Sequence, residues 1–345
     1  MSKTSIYLLF ALLLAANANA QNIVDFQLAA PTAKVNANLY RTIRIIDLRN
    51  DTTSMGFVKT GFFDRKGSVI PKIPLRAQLS QYFYNLADTA GKTKEMVLLL
   101  RRDVFEVTNI GSRDYGSFSF RAGLYEVKDG QYQQIVSIDT VATVSSAMTV
   151  TTALLNTGNK LMGEFISCHV FAEPNGAVYS YHDIFHLDSV EKRAIKLYNT
   201  QTYADGLYLT YKSFMNQVPD KQITVEPGDV NYGVVKAVDA NGKTQRVRPQ
   251  KVYALVYHGQ PYISSRGNYY PLKKEKDDFY FTGAVQVSSG VGNMVLVSNF
   301  GALGALIGSG GSEATFYVKL DYMNGGFIQI KRIEDAAPVP SSTGE

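Results

Sequence analysis

Glu95-Met-Val-Leu-Leu-Leu-Arg-Arg-Asp-Val-Phe-Glu-Val107 is the stretch on which the fold turns. It is rich in β-branched and apolar residues, contains neither Gly nor Pro, and reads as a strand. Ser117 to Val127 follows with alternation through Phe118, Phe120, Ala122 and Leu124, so a second strand lies beside the first. Lys128-Asp129-Gly130 is a hairpin turn, and Tyr132 to Val144 returns as a third strand. Outward from this meander toward the amino terminus, Leu39-Tyr-Arg-Thr-Ile-Arg-Ile-Ile-Asp47 reads as a strand ending at Asn50-Asp51, and Phe57 to Phe63 as another, closed by Asp64-Arg-Lys-Gly67. Pro74 stands where a helix can begin. Leu75, Leu79, Phe83 and Leu86 then keep helical spacing until Gly91. Toward the carboxy terminus, Thr152 to Phe165 carries Leu154, Leu155, Leu161, Met162 and Phe165, a second amphipathic helix despite Gly158 and Gly163. Strand, strand, helix, three strands and helix predict an α+β domain over residues 38–190, an antiparallel sheet with two packed helices. Residues 21–37 are Ala/Asn-rich without a clear period and are expected to be an arm.

Val178 to Leu187 reads as a further strand, and the charged run Asp188 to Lys196 as a short helix or linker, which places a domain boundary between Asp188 and Gln201. Residues 203–333 are expected to form a β-rich, meander-like domain of short Tyr-bearing strands: Gly206 to Tyr211, Lys251 to Tyr257, Pro261 to Ser264, Asn268 to Leu272 and Asp278 to Thr282. Turn signals fall between them at His258-Gly259, Arg266-Gly267 and Lys276-Asp277. Thr315 to Leu320 and Gly326 to Ile333 read as a hairpin over Asn324-Gly325, and the Pro/Ser-rich tail 334–345 as disordered. Within this domain, Thr282 to Ser312 holds no Asp, Glu, Lys or Arg. Val291 to Gly308 is nearly the roughly 20 apolar residues a bilayer span needs. On a helix Gly301, Ala305 and Gly308 share a face, and Gly304 and Gly308 form a Gly-x-x-x-Gly pair that lets another backbone approach. A Gly/Ala-rich segment buried between two strands is the competing expectation.

The chain opens Met-Ser-Lys3, an apolar run Ile6 to Ala16 and Asn17-Ala-Asn-Ala20, the pattern of a cleaved export signal over residues 1–20, so the mature protein is expected in the periplasm or at the outer membrane or cell surface. Cys168 is the single cysteine of 345 residues, which excludes an internal disulfide and suggests a small buried thiol. A formal net charge of +5 is mild, its basic residues are scattered, and no nucleic-acid partner is expected. There are 22 Tyr and 18 Phe but no Trp, a composition that favours strands.

Two resemblances follow from particular residues. Ile45-Ile-Asp-Leu-Arg49, then Gly56, then the helix from Leu75 resembles small envelope domains of the YajG and LpoB kind, which pair a strand ending in Asp-x-Arg with a helix over a sheet. That resemblance covers about a hundred residues and implies an envelope protein without catalytic residues. Gly206, Tyr208, Tyr211, Phe214 and Pro219, then the strand Lys251 to Tyr262, the Tyr269-Tyr270 pair and a Gly-rich apolar insertion are similar to uncharacterised secreted proteins of Bacteroidota. That likeness spans Tyr203 to Arg332 and implies compartment and architecture only.

Few residues suggest chemistry. His182 and His186 would share a helical face, as a metal needs, but read as a strand they lie about 13 Å apart at ~3.3 Å per residue, too far to share an ion. Ser189-Val-Glu-Lys192 and Lys59-Thr-Gly61 match two parts of the penicillin-binding signature in reversed order, without the Ser-Asp-Asn element. Tyr253, Tyr257, Tyr262, Tyr269 and Tyr270 offer an aromatic face for carbohydrate or peptide, against half-buried strand packing as the plainer role. No cofactor fingerprint is present. The expectation is a non-enzymatic exported envelope protein that works by binding or assembly, with an envelope protein or the outer membrane as partner. A secreted hydrolase or metal enzyme built on His182, Asp183 and His186, and a surface glycan-binding module, are the alternatives.

Overall fold

The structure, a computed structural model, describes residues 22–61, 65–110, 113–146, 150–230, 233–286, 297–298 and 313–333. In the first half, β1 (Asn22–Phe26), β2 (Tyr40–Asp47), β3 (Gly56–Thr60) and β4 (Arg65–Pro71) precede α1 (Leu75–Leu86). The long strands β5 (Lys94–Ile110), β6 (Arg113–Lys128) and β7 (Gln131–Ser146) follow, then α2 (Thr151–Ser167) and the two-residue β8 (Val178–Tyr179). They form one sheet in the order β1-β4-β3-β5-β6-β7-β8, with β2 also on β5.

The expected antiparallel sheet is corrected here: it is mixed, because β2 and β3 both run parallel to β5 along the same edge and β1 runs parallel to β4. The expected arm is corrected too. Asn22–Phe26 is a strand that alternates outward Ile23 with inward Val24 and Phe26, too short to stand out from its Ala/Asn-rich surroundings. The meander agrees with its pattern, and β6 and β7 meet over the two-residue turn Asp129-Gly130, both at positive φ as a primed turn requires. Helices α1 and α2 cover one face of the sheet, burying Leu75, Leu79 and Phe83 of α1 and Leu154, Met162 and Ile166 of α2 in a core with Phe26, Phe105, Phe118 and Phe120. Cys168 is exposed, correcting the buried thiol; it caps α2 one residue past the helix that buries Phe165 and Ile166.

One irregularity in β5 decides where the site forms. Leu98 and Leu100 face the helix-covered core while Val97 and Leu99 face a second core on the opposite side. The β5–β6 register then shifts between Leu100 and Arg102, a bulge that inserts one residue. Beyond it Phe105 and Val107 face the first core again, so Arg101 and Arg102 leave on the outer side and Asp103 turns inward. Beside this turn Gly56, at φ 100°, sits where a Cβ would fall 2.1 Å from the Phe105 carbonyl oxygen. Gly56→Ala is expected to cost about 1–3 kcal/mol through backbone displacement, readable as a lower urea midpoint at unchanged slope.

A helical connector, α3 (Tyr181–Phe185), α4 (Leu187–Lys192) and α5 (Lys196–Asn199), leads to the second half. The strand expected over Val178 to Leu187 is therefore corrected. Ser180 and Asp183 form a reciprocal capping box, Ser180 Oγ accepting from Asp183 N and Asp183 Oδ2 from Ser180 N, each at 3.1 Å, and this starts a helix where alternation alone suggested a strand. The same device shortens the next strand. β9 (Gly206–Tyr208) stops where Thr210 and Ser213 cap α6 (Tyr211–Met215).

The rest of the second half is β10 (Gln222–Glu226), β11 (Val234–Val238), β12 (Thr244–Arg246), β13 (Ala254–Tyr257), β14 (Gln260–Ser265), β15 (Asn268–Pro271), β16 (Lys273–Glu275), β17 (Asp278–Gln286), β18 (Val297–Ser298), β19 (Glu313–Leu320) and β20 (Phe327–Arg332). They make three sheets: β10-β11-β12, β15-β14-β13-β9 and β16-β17-β19-β20-β18. The four- and five-stranded sheets share a core of Tyr208, Phe214, Tyr253, Phe279, Phe281, Phe316 and Phe327. Of the uncharged stretch, its first five residues complete β17 and Val297–Ser298 pairs with β20; the remainder, residues 1–20 expected to be an export signal, and residues 334–345 lie outside the described residues. Among the described residues no helix is long and apolar enough to cross a membrane.

Candidate functional site

The two halves meet at the β19–β20 turn, which presses Asp321 and Tyr322 against the outer face of β5 and β6. Asp321 is buried and accepts from Arg121 Nη2 at 2.9 Å to both its oxygens, from Arg102 Nη1 at 2.7 Å and from the Met323 amide at 3.0 Å. Arg121 in turn grips Asp139 of β7 with Nε and Nη2, at 2.9 and 3.0 Å. Arg101 forms a two-pronged pair with Glu191 of α4, Nη1 to Oε1 at 3.0 Å and Nη2 to Oε2 at 2.7 Å, and reaches Asp188 at 2.6 Å. Tyr322 Oη accepts from Arg101 Nη2 and donates to Glu191 Oε2 at 2.5 Å. Burial, together with Asp188 and Glu191, pushes the Tyr322 phenol well above the ordinary tyrosine range, so it remains a donor. Lys192 and Lys319 share Asp278, at 2.6 and 2.7 Å. The bulge in β5 makes this seam possible by sending consecutive Arg101 and Arg102 to one side.

Next to the seam lies a cleft of about 830 Å³. Its lining mixes the charged Arg49, Arg102 and Lys319 with the apolar or aromatic Phe185, Tyr280 and Ile330, and Lys319 and Tyr280 are cross-strand neighbours. At its base Arg49 lies between two carboxylates, holding Asp47 through Nε at 2.9 Å and Nη2 at 2.7 Å, and Asp103 through Nη1 at 2.7 Å. The side chains of Asp47, Arg49 and Asp103 are 5%, 4% and 0% exposed. Asp103 Oδ2 has no hydrogen-bond partner among the described residues. Burial raises the Asp103 carboxyl to about 7, with Arg49 opposing and the Asp47 charge assisting the rise. Asp321 behaves oppositely: burial would raise it, but Arg102 and Arg121 hold it at about 2.

The residues singled out from the sequence fall elsewhere or are occupied. His182 on α3 and His186 at its C-cap stack their rings at 4.2 Å, not about 13 Å apart as in a strand, while Asp183 is spent on the Ser180 cap. Among the described residues no group of three or more His, Cys, Asp or Glu side chains is arranged around a possible metal. Lys192 is engaged by Asp278, and Lys59 pairs with Asp114 at 2.7 Å. The five tyrosines divide between two cores. Tyr253 is buried and donates to the Gly325 carbonyl at 2.8 Å, and Tyr270 packs with it, against Phe281. Tyr257, Tyr262 and Tyr269 pack round Leu207, Val225 and Leu255 on the opposite side. Gly301, Gly304, Ala305 and Gly308 lie outside the described residues. What the sequence reading missed is the seam itself; its signal was the charged triplet Arg101-Arg102-Asp103 inside an apolar strand.

The fold defines a β-rich protein whose two halves are joined through a buried ionic seam. No family model and no curated protein matches the chain. Among solved structures it is similar to protein XCC0632 from Xanthomonas campestris, described as DUF330, at 11% identity and a TM-score of 0.28, covering 49% of this chain and 99% of that one. An uncharacterised protein matches at 8% identity and a TM-score of 0.28, covering 44% and 97%. Likenesses at this level carry no argument about function.

Proposed function

We propose that this is a non-enzymatic protein, exported to the cell envelope, that acts by binding or assembly and reaches an envelope partner or the outer membrane through its Gly-rich uncharged segment. The observation that supports the contact reading is that the cationic side chains Arg49, Arg101, Arg102, Arg121 and Lys319 of the cleft are each held by a carboxylate of this chain. Arg102 and Arg121 hold Asp321 across the two halves, as in a joint, while Arg49 and Lys319 hold carboxylates of their own half and Arg101 one of the connector. A hydrolytic site would instead present a nucleophile and a base to each other within hydrogen-bond reach. Export is supported by the Lys3, Ile6–Ala16 and Ala18-x-Ala20 pattern.

Cell fractionation tests this reading. The mature chain is expected in the membrane fraction with its first 20 residues removed, and deletion of residues 291–308 is expected to shift most of it to the soluble fraction. An uncleaved cytoplasmic chain, or a fully soluble one whose location and assembly ignore the deletion, overturns it.

A further inference from the structure

We propose that Asp47, Arg49 and Asp103 form a proton-gated latch: with a proton on Asp103 the β2–β3 connection closes the cleft's base, and loss of that proton loosens it. The basis is a charge count in a dry place. Two carboxylates face one guanidinium, all three side chains are at most 5% exposed, and Asp103 Oδ2 receives no donor among the described residues. A net negative charge buried that way is expensive, and a single proton removes it.

The surrounding groups are committed and leave Asp103 as the proton's place. On the same connection Asp51 accepts from Thr53 N and Oγ1 at 2.8 and 2.7 Å and from Ser54 N at 3.1 Å. On β5, Arg101 and Arg102 serve the acids of the seam; on β6, Arg121 serves Asp139 and Asp321. At the C-cap of α3 His186 places Nδ1 against the His182 carbonyl at 2.9 Å, and from β19 Lys319 holds Asp278. Burial that lifts Asp103 to about 7 agrees with this assignment. The connection it controls supplies Leu48 through Asp51 and Ser54 to the cleft wall, and is tied down by Leu48 N to Leu100 O and Met55 N to Val69 O, both at 2.8 Å. The inference is independent of where the protein resides.

The sign is fixed by linkage. Closed, Asp103 titrates near 7; opened into water it returns to roughly 4, so opening releases a proton and is favoured as pH rises between those values. Amide hydrogen exchange of residues 48–55 in the full chain, corrected for intrinsic rates, reads the opening ratio. It is expected to rise toward about tenfold per pH unit between roughly 4 and 7 and to level off above. Asp103→Asn and Asp47→Asn both neutralise the excess charge and should flatten the profile, whereas Asp51→Asn should preserve it. A flat wild-type profile, or a slope that survives either neutralisation, overturns the latch. Should Asp103→Asn fail to fold, the Asp47→Asn profile decides by itself.

Discussion

Replacing Asp321 by alanine is expected to destabilise the protein by about 3–5 kcal/mol, the range for removing one partner from a buried ion pair. The reason is what stays behind. Arg121 and Arg102 both point at this carboxylate, and without it, among the described residues, Arg121 keeps Asp139 and Arg102 keeps no carboxylate in a place nearly closed to water. The seam as a whole is not thereby a large source of stability, since burying so many charges costs about as much as their attraction returns. Its expected effect is on specificity, holding the β19–β20 turn at one position on β5 and β6. The loss should therefore be accompanied by altered docking, seen as protease cleavage in the connector between α3 and α5 under conditions where the parent resists. Because Asp321 titrates near 2, its stabilisation is fully present above about 4 and fades as pH falls through 2, so Asp321→Asn should flatten the acid limb of the parent's stability profile. Urea unfolding of Asp321→Ala within about 1 kcal/mol of the parent would show the seam to be dispensable.

Asp103 should act on global stability with the opposite sign. Its carboxyl, raised to about 7, binds a proton in the folded chain that the unfolded chain has already released above about 4. The stabilisation from that proton is complete below about 4 and is lost as pH rises through 7. Three pH units at 1.36 kcal/mol each make the loss roughly 4 kcal/mol at pH 8. Asp103→Asn, permanently uncharged but still able to accept from Arg49, is expected to abolish that decline and to leave the protein more stable than the parent at pH 8. Urea midpoints at pH 4.5, 6 and 8 for both proteins measure it; parallel profiles would show that Asp103 is ionised throughout.

How much of this was legible beforehand follows from how far apart the deciding residues are. Strands β5 to β7, the Asp129-Gly130 turn and helices α1 and α2 were readable because their signals lie within a few residues: alternation, a two-residue turn, apolar positions three and four apart. Capping boxes at Ser180 and Thr210 are equally local and were present in the sequence, yet alternating aromatics around them outweighed a four-residue signature. The candidate site was hardly legible at all. Its charged triplet was visible, but nothing adjacent says that a bulge sends Arg101 and Arg102 outward together while Asp103 turns in.

By itself, then, the sequence determined element types, the turn of the central meander and the apolar faces of two helices, since these depend on neighbours along the chain. The tertiary structure alone decided that β2 and β3 run parallel to β5, that His182 and His186 stack at the end of a short helix, and that Arg121 meets a carboxylate 200 positions away. Pairing and charge compensation are settled between segments that touch only after folding, and burial, which converts Asp103 and Asp321 from ordinary acids into two with opposite responses to pH, exists only once those segments have closed over them.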